Sequence, residues 1–394
     1  MGKVLALLSG KGGSGKTTLA LSIASMLSNC CLKVLLVDCD LSTNGATYFY
    51  EGKLSEKSNA LGSFYKIFIN NEDKTDQLIK IGEHMDFMPS IVKITKTNAE
   101  SYRYDEQDLN RIKKIDEKLR EKYDAIIYDC QAGYTDVLKL ILPFVDVNLV
   151  VMEADAISSA SIRSFYLKTG DLLNGKKIYQ IFNKATDKEY EIYSKISGGT
   201  VFTNIETVMF DWKIRKSFSI AQIPDMERTS ARYGEQVYNI CKVLFSEEKI
   251  QEKIKKYDII IKLNKIKEEE KILRKKISIQ NSERRRTKNK MIKMMYTLIV
   301  PMCISLILVL FMEMVNGTLF YEKTDLIIVS LMLFFITFMA MVLSIIFLNE
   351  ITKEKRTRIR EMNLDNKKLD EILSEKSLLE TKFKQIEELN GKLE

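Results

Sequence analysis

Apolar residues fall into two regimes along this chain. In the N-terminal half they form short, nearly continuous runs: Lys3–Leu8, Lys33–Asp40, Tyr123–Asp129, Val147–Met152 and Lys177–Phe182. Runs of this length, apolar on both faces, predict strands buried on both sides. Helix-length segments separate them, among them the amphipathic Leu19–Leu27. The alternation predicts an α/β fold, a doubly wound and mostly parallel sheet covered by helices. After 245 the pattern changes. Residues 246–293 are dominated by Lys, Glu and Ile, with one helical stripe at Ile250, Ile254, Tyr257 and Ile261 and a second, out of phase, at Leu263, Ile266, Leu273 and Ile277. Residues 294–312 and 326–348 are uncharged runs of 19 and 23. In 349–394, Leu369, Ile372, Leu379, Phe383, Ile386 and Leu393 fit a heptad, with Lys376 and Asn390 at the remaining seam positions.

These regimes divide the chain into a globular domain 1–245, a charged helical stalk 246–293, a two-helix hairpin 294–348, and a C-terminal helix 349–394 expected to form a coiled coil. As helices the apolar runs would be roughly 28 and 35 Å long, against a hydrocarbon core of about 30 Å. They are therefore expected to span a membrane. The two flanking helices could pair within one chain or between chains.

Charge sets the expected orientation. The formal net charge is +8, concentrated in Arg284, Arg285, Arg286, Lys288, Lys290 and Lys293 and again in Lys353, Lys355, Arg356, Arg358 and Arg360. The connector Glu313–Asp325 carries Glu313, Glu322 and Asp325 against Lys323. Basic flanks and a short acidic connector place both termini in the cytoplasm of a multi-pass inner-membrane protein. Contact with anionic lipid explains the clusters better than a solvated basic face. With no acidic or basic residue in either run, an ion pathway is not indicated. The six cysteines lack metal-ligand spacing and are expected to be free thiols. Val4–Leu8 is too short for a secretory signal.

The chemistry is concentrated near the N-terminus. The first run ends in Ser9-Gly10-Lys11-Gly12-Gly13-Ser14-Gly15-Lys16-Thr17-Thr18, and a helix follows. Gly10–Thr17 fits the phosphate-binding loop pattern G-x-x-x-x-G-K-[ST] in full. Its glycines let backbone N–H groups turn toward phosphates, Lys16 would reach the β- and γ-phosphates, and the Thr17 hydroxyl would ligate Mg²⁺. Asp38, Asp40 and Asp129 lie at the ends of apolar runs, where such sheets line their ligand crevice. Carboxylates there can hold Mg²⁺ or orient a water. ATP and Mg²⁺ are the expected cofactors.

These residues resemble the ParA/MinD ATPases over about 1–245. Lys11–Thr18 looks like that family's deviant phosphate-binding motif, whose mark is the extra lysine, here Lys11. Val34–Asp40 resembles its second aspartate motif, Ala125–Asp129 its metal-binding strand, and Asp129–Gly133 its switch segment. Asn183 sits where family members read adenine, and Ile223-Pro224-Asp225 resembles the loop that closes over the base. The resemblance implies an ATP-dependent homodimer in which Lys11 crosses to the partner's nucleotide, Asp40 positions the hydrolytic water, and Asp38 and Asp129 support Mg²⁺. It thus marks Lys11, Lys16, Asp40 and Asp129 as catalytic, Gly12–Thr18 with Asn183, Pro224 and Asp225 as nucleotide-binding, and Thr17, Asp38 and Asp129 as metal residues. Leu41-Ser42 and Gln131 depart from the family pattern, which points to slow or differently tuned hydrolysis.

The function expected is a membrane-anchored ATPase switch that dimerises with ATP and positions an unidentified partner protein at the cytoplasmic face. A nonenzymatic, nucleotide-locked scaffold of a defence or secretion assembly is the alternative. A tyrosine kinase is disfavoured, because the apolar runs follow the domain and the tail 382–394 has no tyrosine. DNA is offered by family analogy but not favoured, since the basic clusters flank the apolar runs. His84, Trp212, Arg215 and Lys216 are read as surface or packing residues.

Overall fold

The computed structural model describes residues 1–50, 61–91, 103–193, 202–222, 226, 230–319 and 323–390. It resolves into two compact units, Met1–Lys265 and Ile266–Glu394.

The first unit is built on eight strands: β1 (Lys3–Leu8), β2 (Val34–Asp38), β3 (Ile79–Lys80), β4 (Met85–Met88), β5 (Ala125–Asp129), β6 (Val147–Met152), β7 (Lys177–Ala185) and β8 (Thr203–Met209). Their order is β3-β4-β2-β5-β1-β6-β7-β8. The short β3 is antiparallel to β4, and the other described pairings are parallel. The helices α1 (Lys16–Asn29), α2 (Gly45–Phe49), α3 (Asp108–Lys122), α4 (Asp136–Ile141), α5 (Ala156–Leu173), α6 (Asp187–Tyr193), α7 (Trp212–Ser219), α8 (Ala231–Leu244) and α9 (Glu248–Lys256) complete it.

Side chains alternate between two cores. Leu5, Leu7, Leu36, Ile127 and Leu149 pack with α1, α8 and α9 on one face. Val4, Ala6, Val37, Tyr128 and Val150 pack with α3, α4 and α5 on the other. Each fully buried aliphatic side chain contributes roughly 1.5–3 kcal/mol. A doubly wound sheet follows, as its apolar runs predict, with β1 central and the phosphate-binding loop at its tip.

The stripe Ile250, Ile254, Tyr257 and Ile261 is buried in the first of these cores. The first compact unit extends to Lys265. A helical stripe shows that a face is covered, and here the globular core covers it.

The second unit contains most of α10 (Asp258–Leu319) and all of α11 (Lys323–Asn390). Lys276 bonds Asp365 at 2.8 Å, Lys376 bonds Glu270 at 2.8 Å, and Arg358 meets Glu283 at 3.3 Å. Partners on α11 fall in number as those on α10 rise, so the two helices run antiparallel within one chain. Both 294–312 and 326–348 are helical. Among the described residues, however, no helix is long and apolar enough to cross a membrane. The expected two-span anchor is thus not supported at this level. Many side chains of the two runs lie outside the described residues, as do residues 320–322 and the heptad position Leu393.

Candidate nucleotide site

The loop between β1 and α1 needs glycine for two physical reasons. Gly15 has φ +89°, and a Cβ there would collide with the Asn183 side chain. At Gly10 a Cβ would come within 2.5 Å of the Ser161 backbone. These close approaches seat the loop against β7 and α5.

Inside the loop, Lys16 is buried and donates to Ser9 Oγ at 2.8 Å, and Ser9 Oγ in turn donates to the Lys11 carbonyl. Burial lowers the Lys16 pKa, and Asp129 opposes that shift. Asn183 Nδ2 donates to the Ser14 carbonyl at 2.8 Å, and Lys184 Nζ donates to the Gly13 carbonyl and to Glu153. The amide of Gly133 donates to the Ser9 carbonyl at 2.8 Å, fastening the segment after β5 to the same loop.

The carboxylates converge from neighbouring strands. Asp38 and Asp129 pair in register at the ends of β2 and β5. Asp38 accepts from Thr47 N and Oγ1 at 2.8 and 2.7 Å and from Asp40 N at 3.0 Å. Burial and the Asp129 charge push its pKa up to about 7. Burial pushes Asp129 up to about 6, with the Thr17 hydroxyl and Lys16 pulling the other way. At Asp40 burial acts upward, but hydrogen bonds from Thr43 and Ser42 outweigh it and hold the carboxyl below its ordinary value.

At this site two buried atoms, Ser14 Oγ and Asp129 Oδ1, have no hydrogen-bond partner among the described residues. An orphaned carboxylate oxygen beside Thr17 fits a hard cation. Among the described residues no cluster of three or more His, Cys, Asp or Glu could hold a metal unaided. That donor set suits Mg²⁺, which is commonly held by one or two carboxylates together with substrate phosphates.

A cavity of about 580 Å³ opens from the loop. Lys16, Thr17, Asp40 and Asn183 lie on its wall together with Phe210, Arg215 and Tyr233. Pro224 and Asp225 lie outside the described residues. Lys11 points elsewhere: its Nζ lies 3.2 Å from Asp155 and 3.4 Å from Glu153. The Asp155 bond, supported by Glu153, raises the Lys11 pKa.

Comparison with known proteins agrees with this geometry. A family described as an AAA domain matches residues 2–179. The sporulation initiation inhibitor Soj of Bacillus subtilis is 31% identical over 132 residues, 33% of this chain and 50% of that protein. The chromosome partitioning protein ParA of Myxococcus xanthus is 27% identical over 132 residues, 33% of this chain and 44% of its own length. The N-terminal domain is similar in sequence to P-loop ATPases of the ParA type. A plasmid partition protein of Borrelia burgdorferi B31, solved bound to AMPPNP, shares the fold of this domain with a TM-score of 0.53 at 23% identity, covering 62% of this chain and 99% of that one. The chain spans about half the length of the curated relatives it matches.

Several lining and bracing residues were not singled out from sequence. Arg215 was read as surface. Lys184 and Tyr233 reach the site through tertiary packing alone. Asp155 did carry a local signal, an aspartate three residues after a strand with Ser158 three residues on, the pattern of a helix N-cap.

Proposed function

We propose that this chain is an ATP-hydrolysing switch that dimerises when ATP is bound and positions a partner complex at a membrane surface. The orphaned Ser14 Oγ and Asp129 Oδ1 carry the reading. Ser14 belongs to the phosphate-binding loop and Asp129 ends the strand beside β1, and the loop's amides with Lys16 and Thr17 suit a triphosphate with Mg²⁺. When bound, Mg²⁺ would neutralise phosphate charge, held by Thr17 and Asp129 with Asp38 behind. Lys16 would hold the β- and γ-phosphates. Asp40, kept ionised by Ser42 and Thr43, suits the orientation of an attacking water.

Lys11 supports the dimer. A cation held by two exchangeable carboxylates at the rim can leave them for phosphate on a second copy, where added positive charge stabilises transfer. Its departure from Asp155 and Glu153 would accompany closure.

Membrane anchoring rests on the sequence: uncharged runs of 19 and 23 residues with basic clusters outside them. Large apolar side chains stay exposed along both, among them Leu306, Ile307, Phe335 and Ile336. In water such a patch is unfavourable, and a hydrocarbon layer removes the cost.

The test is ATP turnover by full-length protein in detergent, beside Lys16→Ala and Lys11→Ala. Both variants should lose turnover. Undiminished rates in both would sink the site assignment, and tight binding without turnover in the parent would favour the nonenzymatic scaffold. Extraction by alkaline carbonate would remove the membrane part alone.

A further inference from the structure

A groove of about 560 Å³ runs between α10 and α11 inside the second unit. Its wall is graded along its length. Lys276 and Gln280 line the end away from the apolar runs, and both are tied to the buried Asp365. Arg284, Lys288 and Arg358 follow, with Arg358 engaged by Glu283. Met291, Ile351 and Ile359 add apolar surface, and the first two lie just before 294–312 and just after 326–348. The lining has four basic side chains against the carboxylates of Glu283 and Glu361.

We infer that this groove holds one anionic phospholipid, its phosphate against Arg284 and Lys288 and an acyl chain along Met291 and Ile351. The inference rests on the membrane-anchored reading. Lys288 would lie about 9 Å along the helix axis from Met294, and its flexible stem can reach a headgroup layer of roughly 5–8 Å. Basic pockets between helices at the cytoplasmic boundary suit acidic headgroups. The apolar wall adds what an inorganic anion would not use. A second copy fits less well, because it would bring Arg284, Arg285, Arg286 and Lys288 against their own kind.

The experiment uses the full chain reconstituted in phosphatidylcholine bilayers with a phosphatidylglycerol fraction, then released in mild detergent for native mass spectrometry. One phosphatidylglycerol should be retained per chain. The double variant Arg284→Gln/Lys288→Gln should weaken retention by about thirty-fold, the order expected from two headgroup cations. Ile359→Trp, which fills the groove without changing charge, should also release the lipid. Retention unchanged in both variants would overturn the proposal. So would displacement by inorganic phosphate, which marks a plain anion site, or a dimer mass that Ile359→Trp splits, which marks a second copy. Carbonate extraction separates the two levels. Protein that stays in the bilayer yet retains no lipid defeats the groove alone, whereas protein that washes off defeats the anchor and the groove together.

Discussion

Asp38 and Asp129 end adjacent parallel strands in register, and burial raises both carboxyls, to about 7 and about 6. Their ordinary value is 3.8. In that window the folded protein binds more protons than the unfolded chain, so stability falls as pH rises. The nucleotide-free protein should therefore lose thermal stability between about pH 4 and pH 7. Mg²⁺ with ADP, which favours the ionised forms, should counter the loss near pH 7. Asp38→Asn should flatten the slope. A melting temperature flat across this range in the nucleotide-free parent would show that the pair does not titrate there.

Asp155 serves two ends that substitution can separate. Its carboxylate caps α5, accepting from Ser158 N at 2.7 Å, and also holds Lys11 at 3.2 Å. Asp155→Ala should cost about 1 kcal/mol through the lost cap. Asp155→Ser keeps a capping oxygen and removes the charge, so stability should change by only a few tenths of a kcal/mol. If Lys11 must leave Asp155 to reach a second copy, both variants should dimerise at lower ATP. Light scattering against ATP concentration reads this, and an unshifted midpoint in Asp155→Ser would detach the ion pair from dimerisation.

How much of this was legible beforehand depends on the range of the interactions involved. Gly10–Thr17 and the strand-end aspartates stand out in the sequence because steric and charge demands at a phosphate act within a few residues. The buried runs of β1, β2, β5, β6 and β7 could be read because both faces are apolar. Lys184 could not, since its role depends on β7 lying beside the loop. Nor could the burial of Ile250 and Ile254 in the first unit, because the same stripe would serve a free-standing stalk. The within-chain pairing of α10 with α11 rests on contacts such as Lys276 with Asp365, which a heptad pattern alone does not specify. β8 carries half-buried positions and offers little apolar contrast.

Trp212 is the sole tryptophan and makes a convenient reporter. It is largely exposed, and its ring meets Phe210 edge-on at 5.1 Å. Phe210 lines the nucleotide cavity. Nucleotide that moves Phe210 should alter the emission of Trp212, saturating with ligand. Gly15→Ala should abolish the response, since φ +89° and the Asn183 collision leave no room for a methyl group. A normal titration in Gly15→Ala would mean that ligand binds away from the loop.

Glu270 is where the stalk can be tested as an intrachain hairpin. It accepts from Lys376 at 2.8 Å across the helix pair and from Arg274 at 2.7 Å along its own helix. These bonds, Lys376 first, hold its pKa below the ordinary value. Lys376→Glu would set two carboxylates together and should loosen the pair. The double reversal Glu270→Lys/Lys376→Glu restores one attraction but brings the introduced ammonium against Arg274, so rescue should be partial. Hydrogen exchange on α11 near 376 reads the effect: fastest in the single variant, intermediate in the double, slowest in the parent. If mixing the two single-reversal proteins restored protection that neither shows alone, the pairing would lie between chains and the intrachain hairpin would be wrong.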